Sequence, residues 1–165
     1  MTQAANLATV GSNVNSSGVL GSVSLPTGSV LQVVNSTNAT AFSTTGSSNV
    51  STGLNASITP LFATSKILIM ITANCRAVGT VGNNSYFVPT IFRNTSTSIW
   101  TGFAHGGSFG STDFRSPTAI IYLDSPATTS STNYLLALNA SLASGGVFMN
   151  NAGGTSVITL MEIAA

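Results

Sequence analysis

Charge is what this sequence has least of. Only 4% of its 165 residues are charged, against about 25% in an ordinary soluble domain. The cations are Lys66, Arg76, Arg93 and Arg115, the anions Asp113, Asp124 and Glu162, with His105 beside them. A net charge of +1 from four scattered cations cannot lay a basic stripe along a phosphate backbone, which excludes nucleic acid as a partner. No polybasic cluster exists to hold an anionic membrane. No apolar run approaches the roughly 18 residues that suggest a spanning helix. The opening stretch MTQAANLATVGSNVNSSGVL has neither a cationic start nor an apolar block, so it does not read as a secretory signal.

Reactive side chains are equally scarce. Cys75 is the one cysteine, so no disulfide forms within the chain. It closes an apolar run and reads as a small core residue rather than a nucleophile. His105, in GFAHGGSFG, cannot build a zinc site, which needs three or four ligands; it reads as a loop histidine. Three acids dispersed along the chain do not supply the paired carboxylates of a glycosidase. No G-x-S-x-G elbow, phosphate loop or H-E-x-x-H motif is present. The reading is a non-enzyme without cofactor or metal. Asp113 and Arg115 flank Phe114; two apart on a strand, they share a face and can form an ion pair of structural use. Trp100, Tyr86, Phe87 and Phe92 offer an aromatic sugar platform or a sandwich core, and the core reading is preferred.

Hydroxyls and amides take the place of charge. Ser, Thr and Asn supply 63 of the 165 residues, so the polar surface is built from them. Triplets such as Asn35-Ser36-Thr37 and Asn139-Ala140-Ser141 then follow from composition and are not read as glycosylation sites. Helix formers are few, while β-branched residues, Gly and Asn run throughout. Ten candidate strands emerge, at 29–35, 40–45, 53–59, 65–73, 85–93, 97–103, 117–124, 133–140, 146–150 and 155–163. Clusters of Gly, Asn, Ser and Pro separate them. That spacing predicts an antiparallel sandwich or barrel. SKILIMITA and TSVITLMEI are apolar on both faces, so one face packs inward and the other calls for a strand, an arm or a neighbouring subunit. GLNASIT and SKILIMITA read as neighbouring core strands linked by PLFAT. Residues 1–27 hold Gly11, Gly18, Gly21 and Pro26 with scattered apolar residues, and read as an extended N-terminal arm before a sandwich spanning 28–165.

TGSVLQVVN, TGLNASITPLFATSKILIMITANC, AIIYLDSPATTSSTNYLLAL and SVITLMEIAA together resemble a family of small β-sandwich modules in virion structural proteins of tailed bacteriophages. The resemblance covers roughly residues 28–165. It implies an all-β, antiparallel jelly-roll-like β-sandwich, commonly a homotrimer. It also implies a place on the virion, as a capsid decoration (cement) protein bound to the major capsid protein or as a receptor-binding tip of a tail fibre. A lectin-like module binding a cell-surface glycan is the third expectation. The short arm and self-contained layout favour decoration, since a fibre calls for a longer shaft. In that reading Leu7, Val10, Val14 and Leu20 of the arm anchor the trimer to the capsid by adding to an exposed strand edge.

Overall fold

The computed structural model describes residues 25–79, 85–102, 105–107, 113–140 and 145–165. Eleven strands lie among them: β1 (Val30–Asn38), β2 (Phe42–Thr44), β3 (Val50–Ile58), β4 (Lys66–Val78), β5 (Ser85–Arg93), β6 (Thr97–Thr101), β7 (His105–Gly107), β8 (Asp113–Asp124), β9 (Thr132–Asn139), β10 (Gly146–Met149) and β11 (Ser156–Ile163). They form two antiparallel sheets, β1-β11-β4-β10-β2 with β8 on β4, and β3-β9-β5-β6 with β7 on β5.

Without the short strands β2, β7 and β10, the pairing has a simple order. β1 pairs with β11, β3 with β9, β4 with β8 and β5 with β6. First therefore meets last, second meets seventh, third meets sixth and fourth meets fifth. The chain is one long hairpin rolled over on itself, which is the jelly roll, and the expected all-β sandwich stands.

Alternation drives the assembly. Along β4, Ile67, Ile69, Ile71, Ala73, Cys75 and Ala77 are buried, every second residue, as a pleated strand requires. From the facing sheet come Leu54, Ile58, Phe87, Ile91, Tyr134, Leu136 and Leu138, all within the same core. β4 is long enough to hold three partners. β8 runs along one edge, while β11 and then β10 share the other. Gly146 opens β10 with φ +98°, and a Cβ there would sit 3.0 Å from the Thr44 carbonyl oxygen of β2, so a side chain is excluded from this seam.

Three expectations are corrected. GLNASIT and SKILIMITA do not pair; β3 and β4 belong to opposite sheets. The PLFAT link carries the chain across the sandwich, with the Glu162 carboxylate accepting from the Leu61 and Phe62 amides. β4 continues to Val78 and β8 begins at Asp113, because NCRAV and DFRSP pair with each other over residues whose polarity hides a strand. Pro117 is tolerated since β8, among the described residues, pairs only with β4 and keeps one edge open. His105 is on β7, opposite Phe87 of β5, rather than in a loop; adjacent glycines of low strand propensity conceal this strand.

Candidate functional site

The outer face of the first sheet follows from strand register. Three rows cross β1, β11, β4 and β8 in turn: Val33, Met161, Leu68, Leu123; then Asn35, Thr159, Met70, Ile121; then Thr37, Val157, Thr72, Ala119. Their neighbours in each strand point inward, so these residues point out. Val33 is 54% exposed, Met70 37%, Ile121 68% and Leu123 48%. No ionisable side chain stands in the three rows. Scattered exposed apolar residues are ordinary, but contiguous ones mark contact surfaces. The doubly apolar character of β4 and β11 thus has its inward half explained; of its outward half Met70 is exposed, while Leu68, Val157 and Met161 are half-buried.

At the far end of the same face the chemistry changes. Arg76 of β4 stands directly opposite Arg115 of β8, an arrangement that like charges disfavour. Asp113 resolves it. Arg76 Nε donates to Oδ1 at 2.7 Å, and Arg115 Nη2 donates to Oδ2 at 3.2 Å. The hydrogen bond from Arg76 and the two positive charges hold the Asp113 carboxyl below the usual carboxylate range. The Arg76 guanidinium also lies 5.2 Å above the Phe148 ring, within cation–π reach. The ion pair expected between Asp113 and Arg115 is therefore present, and Arg76 is the partner that sequence spacing does not reveal.

Asp124 and Glu162 both oppose Ile67, from β8 and β11, and so lie two strand spacings apart, roughly 10 Å. Both are buried and both are engaged. Asp124 accepts from Arg93 Nη1 at 3.0 Å and from the Tyr134 hydroxyl at 2.7 Å. Burial, with that carboxylate beside it, pushes the Tyr134 phenol upward. Glu162 accepts from the Gln32 side-chain amide and the Leu61 amide. These acids clasp strands and loops together. Parity along TSVITLMEI already places Glu162 on the face of Ile158 and Leu160, a signal that was legible.

Cys75 is buried, and desolvation pushes its thiol up to about 12, which keeps it protonated at neutral pH. Among the described residues no three of His, Cys, Asp and Glu gather as a metal site requires. The four aromatics do not form one platform. Phe87 is in the core and Trp100 packs against it, while Tyr86 and Phe92 alternate to the other face of β5. The arm residues Leu7, Val10, Val14 and Leu20 lie outside the described residues.

No protein-family model matches the chain, and no curated protein does. Among solved structures, the chain is similar to that of infectious bursal disease virus Gt strain, with 16% identity and a TM-score of 0.43 over 83% of this chain and 39% of that one. It is also similar to the VP2 subviral particle of infectious bursal disease virus, with 15% identity and a TM-score of 0.37 over 83% and 39% respectively. The chain spans about two fifths of the length of these solved structures. Likeness at these TM-scores carries no function across.

Proposed function

We propose that the chain is a virion structural protein, a homotrimeric capsid decoration (cement) protein that binds the major capsid protein and stabilises the shell, and that it is not an enzyme. The observation that carries this reading is the exposed, uncharged, apolar half of the first sheet, beside the edge of β8 that pairs with no strand among the described residues. An exposed apolar face next to an open edge is a liability in a monomer. Copies of the same chain cover it without like-charge repulsion, because the three rows hold no charge. The sequence resemblance to phage virion modules supports the same reading, and we assign the anchoring role to the arm because its spaced Leu and Val residues suit docking on a strand edge.

Cryo-electron microscopy of the intact particle that carries the chain tests the location. Trimeric sandwiches on the shell support the proposal; density only at the tail tip overturns it in favour of a receptor-binding tip. Deleting residues 1–24 tests the anchor. The truncated chain remains a folded trimer and no longer binds particles. Binding by the full chain persists in high salt, since residues 1–27 contain no charged side chain to be screened. Normal occupancy by the truncated chain, or loss of full-chain binding on moderate addition of salt, contradicts the anchoring role.

A further inference from the structure

The polar end of the first sheet holds a cleft of about 280 Å³. One wall is the pair of strands β4 and β8, through Asn74, Arg76 and Arg115, and the other is the 150–154 turn, through Asn151, Ala152 and Gly154. The turn is held in place by the Asn150 amide donating to the Asn74 carbonyl at 3.0 Å and by Asn74 Nδ2 donating to the Thr155 carbonyl at 2.8 Å. Asn150 and Ala152 adopt φ of +57° and +78°, conformations that cost free energy and persist where the surroundings fix them. The cleft is thus a shaped feature with a defined rim.

Its hydrogen-bonding groups are only partly used. Arg76 gives Nε to Asp113, and Arg115 gives Nε and Nη2. Among the described residues, both terminal nitrogens of Arg76 and Nη1 of Arg115 have no hydrogen-bond partner, nor do Asn74 Oδ1 and the Asn151 amide group. Two guanidiniums against one carboxylate leave a net charge of +1. Guanidinium pairs suit a planar carboxylate. The spare amides offer acceptors as well as donors, which a bare carboxylate does not use and sugar hydroxyls do. Pro117 and Ala152 add small apolar surface to the lining, against which the apolar face of a saccharide ring can rest.

We propose that this cleft binds an acidic saccharide of the hexuronic or sialic acid type, with the carboxylate between Arg76 and Arg115 and the hydroxyls on Asn74 and Asn151. The inference goes beyond the assembly role and stands independently of it. An acidic side chain of a protein partner is the competing ligand, and the amide acceptors disfavour it.

The test is an NMR titration of the full chain, following the arginine Nε–H and asparagine side-chain amide signals. Glucuronate and N-acetylneuraminate are the probes; glucose supplies hydroxyls without charge, and acetate and N-acetylglutamate supply charge without the ring. At least one acidic saccharide shifts the Arg76, Arg115 and Asn151 signals with millimolar affinity, at least tenfold tighter than every control. Arg115→Gln, at an exposed position, weakens that binding about tenfold without changing the fold. Asn151→Ala weakens the saccharide and leaves acetate unchanged. Equal binding of acetate or N-acetylglutamate overturns the proposal in favour of a protein carboxylate. Absence of shifts with both saccharides, or binding unchanged in Arg115→Gln, overturns it outright.

Discussion

The two outer faces of this sandwich solve the same problem differently. β9 is apolar on both sides, as β4 and β11 are. Its outward residues Leu135 and Ala137 are nonetheless buried, Ala137 to 2% exposure. Polar contacts from the same chain border this face. Asn49, on the β2–β3 connection, accepts from Asn139 Nδ2 at 2.7 Å and from the Thr90 hydroxyl at 3.4 Å, and Gly46 accepts from the Ala140 amide. On the outer face of β1-β11-β4-β8, Ile121, Leu123, Met70 and Val33 have no such cover among the described residues. Apolar alternation on both faces therefore predicts that a strand wants two covers. It does not say whether the second comes from the same chain.

The sharpest way to break this comparison is to place the same charge on each face. Ala137→Asp buries an unpaired carboxylate, which costs about 3–5 kcal/mol, a large share of a typical total of about 5–15 kcal/mol. Urea unfolding shows a large loss of stability or no folded protein. Ile121→Asp, at a 68% exposed position, changes the stability of the monomer by about 0.5 kcal/mol or less and abolishes assembly. If the two variants unfold alike, the faces are not different in kind.

Asn49→Ala sharpens the comparison at the sealed face. It leaves Asn139 and Thr90 without their shared acceptor and costs about 1–3 kcal/mol, read as a lower urea midpoint with unchanged slope. The smallest effect belongs to the polar end of the open face. The Asp113 carboxyl titrates below its unfolded value near 3.9. Its contribution is therefore present above that value and lost as pH falls through the depressed folded one. Partial exposure limits it to about 1 kcal/mol or less. Asp113→Asn removes that part of the acid-side slope, measured by thermal melts between neutral pH and about pH 3.

The strands were legible where side chains alternate cleanly. GLNASIT gave β3 and TSVITLMEI gave β11; the inward Glu162 follows from the same alternation but was not read from it. β7 was hidden because His105-Gly106-Gly107 has no apolar pattern, and the ends of β4 and β8 were hidden because Asn74, Arg76, Asp113 and Arg115 look like loop residues until they face one another. Strand pairing was illegible for a deeper reason. Rolling β1 onto β11 joins residues 30 and 163, and no local signal encodes so distant a partner. The need of SKILIMITA for a second cover was legible; that its outer face stays open was not, because β9 carries the same pattern and is buried on both faces. The cleft was not legible either, since its walls come from segments near residues 74, 115 and 151.

Sedimentation of the full chain at micromolar concentration tests the central claim most directly, that the open face of β1-β11-β4-β8 is where copies of this chain meet. The expected result is a species of three times the 16.6 kDa chain mass, and a folded monomer for Ile121→Asp under the same conditions. A stable wild-type monomer, or a trimer that survives Ile121→Asp, contradicts it.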